Sequence, residues 1–261
     1  MSFLKLLSIF NIRMMFKKQF LALICGLIFS FGFAPFDYWL LSILSISVLY
    51  KTIKGMPSKE AFYTGYWFGF GMWLTGISWL YVSIHYHGEI SIIGSALLIL
   101  IFISILSIYS GLLLLLNSNL EKYGFQKLIY LSLPVSWVLI ELIRSYLFTG
   151  FPWLISGTML ADTLIDGYTP IIGAQGNTFF LVLIGVLLCE IYESLSQKRT
   201  ALFPIIFLFI VLVPSSVLKN IEWTIPDNEL KVSLHQPNLT LEGQMESVWS
   251  DQNSWNDPKS N

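Results

Sequence analysis

Apolar residues in this chain gather into seven runs, at roughly 20–34, 38–50, 62–83, 90–116, 128–148, 170–192 and 201–218. A helix needs about 20 mostly apolar residues to cross the hydrocarbon core of a bilayer. Several runs reach that length, while the first two are shorter and flank a turn at Pro35. The gaps between the runs alternate in charge. Lys5, Arg13, Lys17 and Lys18 precede the first run, and Lys51, Lys54 and Lys59 follow the second. Lys122 and Lys127 follow the fourth, and Lys198 and Arg199 follow the sixth. The intervening gaps at 35–37, 84–89 and 149–169 hold neither Lys nor Arg. Eleven of the 15 basic residues therefore fall on one side. Basic loops stay in the cytoplasm, so the N-terminus is expected inside and the polar tail after Leu218 outside. The pattern predicts an all-α polytopic membrane protein of about seven transmembrane helices, N-in and C-out.

Composition points the same way. The chain is 55% hydrophobic and 12% charged, against about 25% charged for an ordinary soluble domain. Its mean hydropathy is +0.68. The net charge of −1 carries little information, because sidedness of charge matters more than its sum in such a chain. No small-residue cleavage site closes the first run, so it is expected to remain as a span and not to be a removed signal. Three segments are expected: a cytoplasmic N-terminus at 1–19, a helix bundle at 20–218 and an external tail at 219–261.

Candidate chemistry is sparse. Cys25 and Cys189 both lie inside apolar runs, where a small apolar filler is the simplest role. His85, His87 and His235 do not supply a zinc cluster at usual spacing, so neither metal nor cofactor is expected. Gly65-x-x-x-Gly69, continuing to Gly71 and Gly76, places small residues where a neighbouring helix can approach closely. Trp79 and Tyr81 sit near the outer end of the aromatic-rich third run, as interfacial aromatics do. Glu141 and Arg144 are an ionisable pair well inside a span, sharing one helix face at i, i+3. Intramembrane charge is unfavourable and marks a functional candidate; a salt bridge clamping the following loop is the structural alternative. That loop, 149–170, is broken by Gly150, Pro152, Gly157 and Gly167, yet carries Phe151, Trp153, Leu154, Met159 and Leu160. It is too apolar for a solvated loop and is expected to lie half-buried at the outer face, where an acyl chain could enter sideways. The substrate- or lipid-facing candidates are Phe151, Trp153, Trp79, Glu141 and Arg144.

Several of these residues form an ordered set. Trp137-x-x-x-Glu141-x-x-Arg144 is followed by Phe148-Thr-Gly-Phe-Pro-Trp-Leu154, Gly157, Asp166-Gly167, Pro170 and Gly173. The set resembles the fifth and sixth spans of the apolipoprotein N-acyltransferase family. The likeness extends back to Phe33-Ala-Pro-Phe36 and the Gly/Trp run from Gly65 to Trp79. It extends forward to Lys231-Val-Ser-Leu-His-Gln-Pro-Asn238, similar to the opening β-strand of that family's nitrilase-like domain.

The resemblance implies a bacterial inner-membrane enzyme. It would take an acyl chain from a glycerophospholipid and pass it to the α-amine of the diacylglyceryl-cysteine of a maturing lipoprotein. Nucleic acid is not an expected partner. In the family the acyl group passes through a Cys thioester, with a Glu base and a Lys at the oxyanion, all in the outer domain. A thiolate suits this chemistry, being nucleophilic towards an ester and a good leaving group to an amine. The positions matching those three residues are not found up to Asn261, so no catalytic residue is carried over. The chain reads as the membrane half of such an enzyme with only the start of a truncated nitrilase-like domain, inactive in this form. A non-catalytic module binding lipid or a partner is the alternative. A transporter is the third reading, disfavoured by few intramembrane polar groups and no internal repeat.

Overall fold

The structure is a computed structural model describing residues 3–123, 129–224, 230–234 and 236. The chain divides into two units, Met1–Ile221 and Glu222–Asn261. Among the described residues the first is a set of helices joined by loops and short turns. Its helices are α1 (Phe3–Phe29), α2 (Trp39–Ile53), α3 (Ser58–Gly76), a single turn α4 (Leu80–Val82), α5 (Ile92–Tyr123), α6 (Ile129–Tyr146), α7 (Thr169–Ser196) and α8 (Leu202–Leu218). Each of the seven apolar runs thus becomes one long helix. Among the described residues, four helical stretches are long and apolar enough to cross a bilayer: Arg13–Gly32, Ile92–Tyr123, Ile129–Thr149 and Asp166–Ser196. Trp39–Ile53 and Leu202–Leu218 are apolar but shorter. In the second unit the described residues form neither helix nor strand. The strand expected at 231–234 is therefore not formed among the described residues, because a strand exists only by pairing and no partner strand is described. Lys127, His235 and the rest of the expected nitrilase-like start, 237–261, lie outside the described residues.

Six helices close into a ring. α3 packs between α5 and α1, α1 meets α2, α2 meets α7, α7 meets α6, and α6 returns to α5. α8 packs on α7 from outside. Phe29, Phe68 and Trp137 meet in the middle, with centroids 5.4–5.6 Å apart. The outer surface is apolar: Ile93, Leu97, Ile101 and Ile105 on α5 and Phe209, Ile210 and Val213 on α8 are all exposed. Apolar area of that extent is tolerated only against another apolar phase.

Apolar side chains gain little by leaving lipid for each other, so the ring depends on close backbone approach and on hydroxyls. A Cβ on Gly65 would overlap the Ser110 carbonyl of α5, and one on Gly26 would overlap the Phe68 carbonyl of α3. Gly71 faces the Leu23 carbonyl of α1. The glycines of α3 thus serve two opposite neighbours and not a single stripe. Serines staple the next contacts: Ser42 Oγ donates to the Phe29 carbonyl at 2.6 Å and Ser45 Oγ to the Cys25 carbonyl at 2.6 Å. Ser47 Oγ reaches the Gly185 carbonyl of α7 at 2.7 Å. At the lysine-rich end Lys54 bridges Glu190 at 2.5 Å and Glu193 at 2.8 Å, tying α2 to α7. Burial opposes the Lys54 charge, but the hydrogen bonds to both carboxylates outweigh it and raise its pKa.

Candidate functional site

The opposite end of the ring is built from the end of α6. After Tyr146 the backbone enters the left-handed region at Phe148 (φ 53°), Thr149 (φ 71°) and Gly150 (φ 84°). Two consecutive non-glycine residues there are strained, and such strain persists only where surrounding contacts fix it. The contacts are at hand. The reversal brings the loop back over α6, where Phe151 N–H donates to the Arg144 carbonyl at 2.9 Å. The Arg144 guanidinium then donates to the carbonyls of Phe151 (2.5 Å), Trp153 and Leu154 (3.4 Å). Its carbon lies 5.0 Å from the Trp73 ring centroid, over the negative face. A planar fork with five donors can span several acceptors at once, which an ammonium cannot do as well.

Glu141, one turn deeper, holds the next part of the loop. Its Oε1 accepts from Ser156 N–H at 2.9 Å and Ser156 Oγ at 2.6 Å, and its Oε2 accepts from Thr178 Oγ1 of α7 at 2.7 Å. Ser156 Oγ in turn accepts from Trp137 Nε1 at 3.0 Å, and Gly157 N–H donates to Thr178 Oγ1 at 2.8 Å. Glu141 and Arg144 are 5% and 4% exposed. The two do not form the expected salt bridge; among the described residues the ion pairs are those of Lys54. Each clamps the loop separately, the cation on carbonyls and the carboxylate on an N–H and hydroxyls. The physical reason is polarity matching: a reversed loop presents both unpaired carbonyls and unpaired N–H groups, and each kind needs its own buried partner. A cavity of about 20 Å³ lies between them, bordered by Trp73, Tyr109 and Trp137.

Between its anchors the loop runs through 3₁₀ turns at Ser156–Leu160 and Asp166–Tyr168 and has no regular helix until α7. α7 itself breaks at Gly173 (φ 68°), a conformation that glycine adopts without a Cβ penalty. Met159, Leu160 and Ile165 are buried. Gly157 and Gly167 sit where a Cβ would overlap the Ala174 and Ser215 carbonyls of α7 and α8. The loop's remaining aromatics form a wall. Phe151 is 5.8 Å from buried Trp73 and stacks on Trp153 at 5.5 Å, and Trp153 faces Trp79 at 6.2 Å. Trp153 and Trp79 are 48% and 47% exposed, so the wall runs from the core to the surface.

All five residues singled out from the sequence meet here. Trp73, Ser156 and Thr178 are the additions, and little in the sequence marks them. Serine and threonine in apolar helices ordinarily bond their own i−4 carbonyl, and Trp73 is one of many aromatics in its run.

The protein-family model for the apolipoprotein N-acyltransferase N-terminal domain matches residues 25–187, from the last residues of α1 through most of α7, the whole site included. The chain belongs to the apolipoprotein N-acyltransferase family. Curated relatives agree. The apolipoprotein N-acyltransferase of Methylococcus capsulatus is 32% identical over 225 residues, covering 85% of this chain and 44% of the relative. That of Pseudomonas aeruginosa is 34% identical over 224 residues, with coverages of 85% and 44%. That of Coxiella burnetii is 33% identical over 225 residues, with coverages of 84% and 45%. The chain spans less than half the length of these relatives. As a family member with several apolar helices of spanning length, it is a membrane protein.

Proposed function

We propose that these residues form the membrane-embedded part of an apolipoprotein N-acyltransferase of the bacterial inner membrane. The reaction is transfer of an acyl chain from a glycerophospholipid to the N-terminal diacylglyceryl-cysteine of lipoproteins. The role assigned to this chain is to receive the acyl chains at the outer face. The observation that carries the reading is the aromatic wall of Phe151, Trp153 and Trp79, held by two buried charges at the end of the ring opposite the basic loops. Such a wall offers apolar area to an acyl chain, while Glu141 and Arg144 hold its backbone and do not contact the substrate. In this reading all seven long helices cross the membrane, and residues 219–261 lie outside as the start of a nitrilase-like domain.

The thioester chemistry is not assigned to either thiol of this chain. Cys25 and Cys189 are each 4% exposed within α1 and α7. Thioester catalysis needs a reachable thiolate with a base and oxyanion donors in hydrogen-bond reach. The test is to reconstitute the protein with a phospholipid carrying a photoactivatable group and a radiolabel in one acyl chain. Crosslinks are expected at the 148–153 loop and around Trp79, with no hydroxylamine-sensitive acyl group on Cys25 or Cys189. A thioester on either cysteine, or crosslinks that avoid the loop, would overturn the proposal.

A further inference from the structure

The lysine-rich end carries a second site, unrelated to the aromatic wall. A groove of about 730 Å³ opens between α1, α2 and α7. Its walls are aliphatic: Leu21, Leu44 and Val48 are 41%, 55% and 40% exposed, and Leu188 closes the far side. Its mouth carries Lys18, Lys51 and Lys54. Lys54 faces two carboxylates, Glu190 and Glu193, so its charge is more than compensated. The other two are not paired with acids among the described residues. Lys51 Nζ rests on the Tyr192 ring at 4.7 Å, a contact that leaves its charge uncompensated. Lys18 lies five residues into the apolar stretch that begins at Arg13, about 7.5 Å along the helix axis. Lys51 stands in the last turn of α2. Lys51 is therefore near the end of α2, and Lys18, midway along α1, is near the start of that helix's span-length stretch; with α1 and α2 crossing as proposed, both ammonium groups reach the depth of lipid headgroups.

From this geometry we infer that the groove is a binding site for an anionic phospholipid, with the phosphate between Lys18 and Lys51 and one acyl chain along Leu21, Leu44 and Val48. Two charges without acidic partners above an exposed aliphatic trough are complementary to a molecule that is anionic at one end and hydrocarbon at the other. Basic pockets between transmembrane helices take up acidic headgroups for this reason. A zwitterionic lipid leaves the positive charges partly uncompensated, and a soluble phosphate leaves the trough unfilled. Thr52 Oγ1 donates to its own helix at the Val48 carbonyl, 2.7 Å, and its oxygen can still accept from a headgroup hydroxyl.

The experiment is native mass spectrometry of the purified full chain, titrated with dioleoyl phosphatidylglycerol and, separately, dioleoyl phosphatidylcholine. Phosphatidylglycerol is expected to bind more tightly. The double variant Lys18→Gln/Lys51→Gln should weaken it by about thirtyfold, each lysine near a lipid surface being worth about fivefold. Lys17→Gln, exposed beside the groove but not lining it, should leave the affinity unchanged. Val48→Trp, which fills the trough and keeps both charges, should weaken binding as well. Excess inorganic phosphate should not compete. Equal affinity for the two lipids, an unaffected double variant or displacement by phosphate would each overturn the inference. Both lysines lie at the surface end of the bundle, and the single variants, each expected to lose about fivefold, keep the test open should the double variant fold poorly.

Discussion

Glu141 shows how much can rest on one side chain. It accepts three hydrogen bonds, of which only the one from Ser156 N–H has no alternative. The two hydroxyls can turn: Thr178 Oγ1 already lies 3.4 Å from the Ala174 carbonyl. Glu141→Ala strands the buried Ser156 N–H and opens space, and is expected to destabilise the protein by about 2–4 kcal/mol. Glu141→Gln keeps a carbonyl oxygen for Ser156 and turns an NH2 towards Thr178 Oγ1, which can accept while donating to Ala174. It should lose less than half as much. Thermal unfolding in detergent distinguishes the two, and a Gln variant as weak as Ala would show that the charge itself is required. The sequence made Glu141 and Arg144 visible because ionisable groups are rare in apolar runs. It did not mark Ser156 or Thr178. Thr52 and Ser104 bond their own helix at i−4 and Ser47 bonds both its own helix and α7, so nothing local separates a hydroxyl that stays home from one that reaches another element.

At the level of elements, the 149–170 loop was legible in outline, since glycines and a proline broke its helical pattern while large apolar residues denied it to water. Its course was not legible, because the left-handed residues Phe148 and Thr149 give no sign in their side chains of the reversal they make. Apolar area left in water costs about 25 cal/mol per Å², so Trp153 is expected to sit at the membrane surface. With Trp153 as the single remaining tryptophan, its fluorescence should be quenched by lipid-tethered quenchers more than by aqueous iodide. Arg144→Met removes the donor to three loop carbonyls and should raise iodide access severalfold while the bundle stays folded. Dominant iodide quenching in the parent protein would count against the half-buried loop. The glycine motif of α3 teaches a related lesson. Gly65 and Gly69 do share one face against α5, as their spacing predicts, but Gly71 packs on α1. Spacing reveals which residues share a face, and only the packing reveals how many neighbours a helix has.

Over the whole molecule, charge sidedness is the strongest global signal. The basic segments at 51–59, 122 and 198–199 join helices at one end of the ring, and the lysine-free loop that carries the aromatic wall lies at the other. With all seven long helices crossing, reporter fusions after Lys54 and Arg199 should read cytoplasmic. Fusions after Asp162 and Asn220 should read external. A cytoplasmic signal at Asp162 would place the aromatic wall on the wrong side for an outer-face acyl acceptor. The shortness of α2 does not argue against a span by itself, because helices shorter than the hydrocarbon layer are accommodated by local thinning and by snorkelling of flanking residues such as Lys51 and Lys54.

The sequence by itself determined the helical class, the positions of all seven long helices, the gathering of the basic loops, and the family. Each of these is written in local quantities, namely apolar run length, loop charge and ordered motifs, which survive without knowledge of neighbours. The ring order, the separate clamps of Glu141 and Arg144 and the basic groove between α1, α2 and α7 were decided by tertiary structure. They depend on which helix faces meet and on where buried carbonyls, N–H groups and hydroxyls find partners across long stretches of chain. A membrane helix can satisfy its backbone within itself, so its own sequence places few demands on which neighbour it takes.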